Sequence, residues 1–177
     1  FSVLDGPVNF VCKSLNNASL PATDLKEYSD FCTKVSKLRR AVSAGEAILS
    51  ELKDKMLNFD IAVKDMPTEN KALIRKISDI KQELTKLNYE MNGDATLARR
   101  EFESSPSING RVSDIEGSMW SVPSAPTEAF KTPYPIAAED FGKWLEKLKK
   151  ADQAIRQAEL ELNAGNAPAT PGRWPQW

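Results

Sequence analysis

Apolar residues recur along most of the chain with the alternating three- and four-residue spacing of a single helix face. The longest run begins after Thr23 and ends before Pro67. We expect this run to form one helix, which Thr23 or Asp24 caps at its start and Pro67 terminates. Its seam positions, all apolar except Gly45, are Tyr28, Phe31, Val35, Leu38, Val42, Gly45, Leu49, Leu52, Met56, Phe59, Val63 and Met66. We predict a helix about 60 Å long, with Gly45 marking a bend or the close approach of another helix.

Three later segments show the same spacing. The first is predicted to start at Thr68 as its cap and to end at Asn92, with Gly93 suited to the left-handed position that follows a helix. The second begins at Ser107, and the third ends at Gly165. Their apolar positions are Leu73, Ile77, Ile80, Leu84, Leu87 and Met91, then Ile108, Val112, Ile115 and Met119, then Ala137, Phe141, Trp144, Leu148, Ala151, Ile155, Ala158 and Leu162.

Each predicted helix has one apolar stripe and one charged face, which favours a single shared core. We therefore predict an all-α fold: an antiparallel bundle of about four helices with one very long first helix. The second helix is too short to cover the whole of the first, so another element is expected to cover the rest. Three regions are predicted: residues 1–22 as a short β-like extended segment, residues 23–165 as the bundle, and residues 166–177 as a strap rich in Pro and Trp.

The charge balance gives no sign of an anionic partner. The 177 residues include 24 basic and 25 acidic side chains, for a net charge of −1. Nucleic acids and anionic membranes select for a clear basic excess, so neither is an expected partner. No run approaches the roughly 20 apolar residues of a membrane span. The chain begins at Phe1 without a signal peptide, and we expect it to be a piece of a longer protein.

Histidine is absent from the sequence. This removes the commonest general base, the commonest metal ligand and the usual partner of a nucleophilic Ser or Cys. The Asp and Glu residues are scattered over surface-like positions without a Gly-rich loop to bring them together. We expect no catalytic residues, no metal and no cofactor, and thus a protein that is not an enzyme.

The two cysteines, Cys12 and Cys32, are twenty positions apart. In an oxidising compartment they can form a disulfide that joins the N-terminal segment to the first helix, with a stabilisation of about 3 kcal/mol. The alternative, which we favour, is that both are small buried apolar residues.

Two internal motifs have competing interpretations. Arg99 and Arg100 can form an anion clamp after the turn in MNGDATLARR, but a structured linker whose arginines pair with acids of the bundle is favoured. Trp120 and Trp144, with nearby Phe130 and Tyr134, can form a platform for sugars, but packing in the core is favoured.

The sequence ends in TPGRWPQW. Trp174 directly follows Arg173 in this strap, and Trp177 lies three positions further on. The prolines keep this strap extended and its glycine permits a tight turn. We expect the two indoles to fold back and seal the half of the first helix that the second helix leaves uncovered. The alternative is that they dock on an upstream domain or on another protein.

Several stretches together resemble the C-terminal helical region of large bacterial exported proteins with sortilin-like or Asp-box β-propellers, which are often labelled glycosyl hydrolases. These stretches are LNNASLPA, MNGDATLARR, SINGRV, SAPTEAF, YPIAAEDF and the terminal TPGRWPQW. The resemblance covers about residues 10–177. Cys12 and Cys32 depart from the residues expected there, so a bridge between them would be particular to this protein.

The resemblance implies that a propeller and a small β-sandwich precede this region, and that the whole protein is exported to the periplasm or cell surface. It implies no activity for the helical region. We expect a non-catalytic structural module that buttresses the β domains of the same polypeptide. The alternatives are a module that binds another envelope protein or itself, and an accessory glycan-binding domain.

Overall fold

The computed structural model describes residues 22–100, 105–121 and 126–174. The β-like segment predicted for residues 1–22 lies outside these ranges, apart from Ala22. The described residues contain two single-turn helices and four longer ones. In chain order they are α1 (Ala22–Lys64), α2 (Lys71–Asn92), α3 (Ala95–Ala98), α4 (Ile108–Ser121), α5 (Glu128–Lys131) and α6 (Pro133–Ala164).

The helix ends follow local capping chemistry. The amide of Asp65 still bonds to the carbonyl of Ile61 at 3.3 Å, so α1 unwinds just before Pro67. The prediction that Thr68 caps α2 is wrong: Asn70 is the cap, and its Oδ1 accepts from the amide of Leu73 at 3.0 Å. Asparagine is the stronger capping residue of the two, which explains the shift.

The helices α2 and α4 lie end to end along α1, and both run antiparallel to it. Asp60 of α1 pairs with Lys81 of α2 at 3.3 Å. Nearer the start of α1, the hydroxyl of Tyr28 donates to the carbonyl of Met119 in α4 at 3.0 Å. The predicted gap over the first half of α1 is therefore filled by α4.

The last helix runs parallel to α1. The ring of Tyr134 meets that of Phe31 near the start of both helices, and Lys55 pairs with Glu159 at 2.6 Å towards their other end. The bundle thus has three rods, namely α1, α6 and the pair α2 and α4. The predicted all-α bundle is confirmed. The parallel direction of α6, which was not predicted, follows because α2 and α4 run in the same direction.

The core follows the predicted seams. Every seam residue of α1 from Phe31 to Val63 is buried, and so are all the predicted apolar positions of α2, α4 and α6. Gly45 is where another helix comes close, because a Cβ added there would lie 2.8 Å from Cζ3 of Trp144. A bend is not needed to explain this glycine.

The two ends of the bundle differ, and we name them by α1. At the Ala22 end, α1, α5 and the start of α6 meet, and Lys131 pairs with Glu27 at 2.6 Å. At the Lys64 end, the C-terminus of α6 packs so closely on Met66 that a Cβ on Gly165 would overlap Cε of that residue. Since α1 has 43 residues, the ends are about 65 Å apart.

Candidate functional site

The strap that follows α6 is ordered as far as Trp174. Asn166 takes a left-handed conformation with φ of 52°, and the amide of Ala167 then donates to the carbonyl of Leu162 at 2.9 Å. Further on, the amide of Arg173 donates to the carbonyl of Thr170 at 3.1 Å and closes a turn. Gly172 has φ of 83° in this turn, a conformation that favours glycine. The strap therefore has a defined backbone conformation.

Arg173 anchors the strap, because it is 91% buried against the end of α6. Its guanidinium donates to the carbonyl of Pro168 at 2.9 Å and to Oδ1 of Asn163. Among the described residues no carboxylate pairs with it. Its positive charge lies instead at the C-terminus of α6, where the helix dipole favours a cation.

Trp174 is 89% exposed, so the prediction that it folds back to seal the first helix is wrong. The strap does fold back, since Ala167 packs against the core and Gly172 lies beside Lys55 of α1. The anchoring side chain, however, is the arginine and not the indole. Trp177 lies outside the described residues, and its docking stays a prediction.

Trp144 lies at the centre of the bundle, as the favoured core interpretation predicted. It is 1% exposed, its ring stacks on Phe141 with centroids 5.8 Å apart, and its Nε1 donates to the carbonyl of Leu87 at 2.9 Å. Phe130 and Tyr134 are half-buried against the core. Trp120 belongs to the last turn of α4, and its side chain is outside the description. The alternative prediction, a surface platform for sugars that includes Trp144, is therefore wrong.

The join between α2 and α4 forms a shallow cleft of about 310 Å³. Asp94 at its edge accepts from the amides of Thr96 and Leu97 at 2.7 and 3.3 Å, and these bonds hold the pKa of its carboxyl below the ordinary value. Asp94 thereby caps α3. The other charged residues that line the cleft are Glu90, Asp140, Lys143 and Lys147.

Arg99 and Arg100 follow α3 and are exposed. Neither lines the cleft, and neither forms an ion pair within the part of the chain that the structure describes. The favoured prediction that they pair with acids of the bundle finds no such pair among the described residues, and Glu101 and Glu103 lie outside them. Their use as an anion clamp stays a prediction.

Asn109 at the start of α4 joins three helices. Its Nδ2 donates to Glu46 of α1 at 3.1 Å and to Asn92 of α2 at 3.3 Å, while its Oδ1 accepts from Arg39. Arg39 also pairs with Glu116 at 3.4 Å. These polar contacts fix the position of α4 on α1, which is a structural role.

Cys32 is half-buried and lines a cavity of about 360 Å³ between α1 and α4, together with Tyr28 and Met119. Burial, reinforced by the neighbouring thiol of Cys32, raises the pKa of the Tyr28 hydroxyl above its ordinary value. Cys12 lies outside the described residues, so the disulfide stays a prediction.

Sequence reasoning missed several exposed apolar residues: Leu57, Ile61, Tyr89 and Leu160. A signal for them existed, because each is a large apolar side chain that does not fit the seam of its helix. Apolar residues outside a seam are the ones that the fold cannot bury in its own core.

Among the described residues, no group of three or more Cys, Asp or Glu side chains is placed to hold a metal ion. None of the helices within the described ranges has the length and hydropathy needed to cross a membrane.

Comparison with known proteins gives no relative. The chain matches no protein-family model, and neither a curated protein nor a solved structure is detectably similar to it.

Proposed function

We propose that residues 23–165 form a non-catalytic structural module, a rigid spacer or buttress in a large exported multidomain protein with a β-propeller. The observation that carries this proposal is the continuous apolar core. It extends from Phe31 to Val63 along α1, and all four longer helices contribute to it. A rod of about 65 Å packed in this way resists bending, as a spacer must.

Ion pairs between helices add to this rigidity at several levels of the bundle. Lys131 pairs with Glu27 at the Ala22 end. Lys55 pairs with Glu159, and Lys76 with Glu161, each at 2.6 Å, towards the Lys64 end. Each pair is weak in water, but bending the rod would separate all of them as well as the core.

The Ala22 end offers the surface that a neighbouring β domain would cover. A groove there, of about 610 Å³, lies between the start of α1, Pro126 and the start of α6. Phe31 and Tyr134 line it, and lysines and acids surround them. The resemblance to β-propeller proteins supports this placement and export with it, because the upstream domains of such proteins precede the residues at this end.

The test compares the parent protein with a variant in which a flexible Gly/Ser linker of equal span replaces residues 23–165. We expect the melting temperature of the β domains to fall by several degrees in the variant, as measured by calorimetry. Unchanged melting of the β domains would contradict the buttress role. The spacer role would in that case be tested by small-angle scattering. The variant should change the distance between the regions that flank residues 23–165.

Binding to another envelope protein is the second candidate function, and the exposure of Trp174 favours it. A rigidly held, exposed indole is a common anchor of protein interfaces. We expect stoichiometric partners to co-purify with the parent protein. The Trp174→Ala variant should lose these partners, and the Ile136→Ala variant should keep them. The accessory glycan-binding alternative has less support, because Trp144 belongs to the core.

A further inference from the structure

Exposed apolar side chains are concentrated near one end of the bundle. Five large apolar side chains among the described residues are more than half exposed, and four of them lie towards the Lys64 end. These four are Leu57, Ile61, Leu160 and Trp174. Neighbouring apolar side chains that stay exposed on one face mark a candidate contact surface.

Two of the four belong to an acidic stripe on the outer face of α1. Leu57 and Ile61 are one turn apart, and Asp54 and Asp65 extend the same face by one turn on each side. All four residues are exposed. Neither aspartate forms an ion pair within the described residues, so both carboxylates are available to a partner. We call these four residues the acidic stripe.

The other two belong to a basic surface on α6 and the strap. Arg156 and Lys149 precede Leu160 on one face of α6, by four and eleven residues. The strap begins beside this face, because Arg173 binds Asn163, one turn after Leu160. We call Lys149, Arg156, Leu160 and Trp174 the basic surface.

Both cations of the basic surface already have partners within α6. Arg156 pairs with Asp152 at 2.9 Å, and Lys149 with Glu146 at 2.7 Å. These are exposed pairs within one helix, which stabilise the fold only weakly. They can exchange for a carboxylate presented by another molecule without loss of folding.

We propose that the chain associates with a second copy of itself, the basic surface of one copy docking on the acidic stripe of the next. Leucine, isoleucine and tryptophan then bury one another, while Asp54 and Asp65 face the cations. The partner is a second copy because this one chain has both complementary surfaces. Within one molecule the two cations pair with Glu146 and Asp152 of α6 and not with Asp54 or Asp65.

The contact is heterologous, since it joins two different surfaces. Each copy has one surface of each kind, so association leads to rings or open chains and not only to pairs. The strap is already ordered by Arg173, so little conformational freedom is lost when Trp174 is buried. The contact area is small, and we expect a Kd on the order of 0.1 mM for each contact.

Sedimentation of the full chain over a range of concentrations, up to about ten times this Kd, is the first measurement. We expect the weight-average mass to rise above that of the monomer with concentration, and to fall at high salt. A monomer at every concentration would overturn the proposal. The spacer role would still stand in that case, because it does not depend on self-association.

Two variants remove one surface each. Trp174→Ser damages the basic surface, and the double variant Leu57→Gln with Ile61→Gln damages the acidic stripe. Each should weaken association at least about tenfold. The matched control, Leu25→Gln with Ile136→Gln, changes exposed apolar residues at the Ala22 end and should associate like the parent chain. Circular dichroism checks that all variants are folded. Parent-like association of either test variant would overturn the proposal.

Mixing the two defective variants gives the sharpest result. Each retains the surface that the other lacks, so the mixture should form one-to-one dimers that do not grow further. If both variants are monomeric alone and the mixture is monomeric too, the two surfaces do not contact each other and the proposal fails.

Discussion

The two halves of the long helix α1 are covered by different means. In the α2 half, residues 42–64 pack on α2, whose six seam side chains are at most 7% exposed. In the α4 half, residues 22–41 pack on the shorter α4, whose four seam side chains are buried to a similar degree. Where the two halves meet, a side-chain network centred on Asn109 links three helices.

The difference shows two separate roles of side-chain contacts, namely stabilising a helix and fixing its position. Apolar burial over 22 residues of α2 supplies most of the stability of its half, because the hydrophobic effect grows with buried area. This apolar burial is nevertheless non-directional. The hydrogen bonds of Asn109 and Arg39 contribute less free energy, but they are directional and hold α4 at one position along α1. The α2 half is therefore expected to be the more stable of the two.

The largest effect is expected from a buried charge in the α2 half. Leu84 is 1% exposed, and Leu84→Asp should lower the free energy of unfolding by about 4 kcal/mol or more, because the carboxylate has no partner in the core. Circular dichroism should show loss of most helix at room temperature. The control is Gln82→Asp at an exposed position of the same helix, which should remain folded.

The matching change in the α4 half should act locally. Ile115 is 4% exposed, and Ile115→Asp should release α4 from α1 while the α2 half stays folded. Hydrogen exchange should then be fast in α4 and slow in α2. Global unfolding by Ile115→Asp would show that the two halves are one cooperative unit, contrary to this comparison.

Gly45 lies near the join of the two halves, and its replacement tests how closely α6 packs there. A Cβ would meet Trp144 at 2.8 Å and Phe141 at 3.3 Å, so Gly45→Ala should cost about 1–3 kcal/mol in spite of the better helix propensity of alanine. In Gly142→Ala, nothing lies within 4 Å of the new methyl, and a gain of up to about 1 kcal/mol is expected. Chemical denaturation measures both. Equal effects would contradict the close approach.

The strap allows a smaller test at the end of the α2 half. Arg173→Ala should lower the free energy of unfolding by about 1–2 kcal/mol, since it removes hydrogen bonds and a cation from the C-terminus of α6. Trp174→Ala should leave stability almost unchanged, because the indole is 89% exposed. Thermal melts of the two variants measure this difference. A larger loss of stability in Trp174→Ala than in Arg173→Ala would show that the indole is the anchor.

The smallest effect concerns Asp60 in the α2 half. A hydrogen bond from Lys64, with help from Lys81, lowers the pKa of its carboxyl below the ordinary value of 3.8. A lowered folded-state pKa means that the stabilisation is present above pH 3.8 and is lost as the pH falls through the folded-state pKa. Asp60→Asn should thus cost about 0.5–1 kcal/mol at pH 7 and progressively less below pH 3.8. Denaturation at several pH values, with Asp54→Asn as control, measures this. A constant difference would contradict it.

Much of the fold could be predicted because burial leaves a periodic signature. The seam from Phe31 to Val63, and the need for a second cover over the first half of α1, both follow from the spacing of apolar residues. Capping by Asn70 in place of Thr68 could not be distinguished, because several residues before α2 have capping side chains. The exposure of Trp174 was missed because an indole next to a helical core is usually buried.

The sequence alone determined the elements of this protein: four amphipathic helices, their apolar faces and Gly45 as the one gap in the long seam. These are local properties, set by periodicity and by single residues. Only the tertiary structure decided that α2 and α4 share one rod, that α6 runs parallel to α1, and that Arg173 rather than Trp174 holds the strap. Those outcomes depend on which faces meet in space, and an apolar stripe favours burial without specifying the partner that buries it.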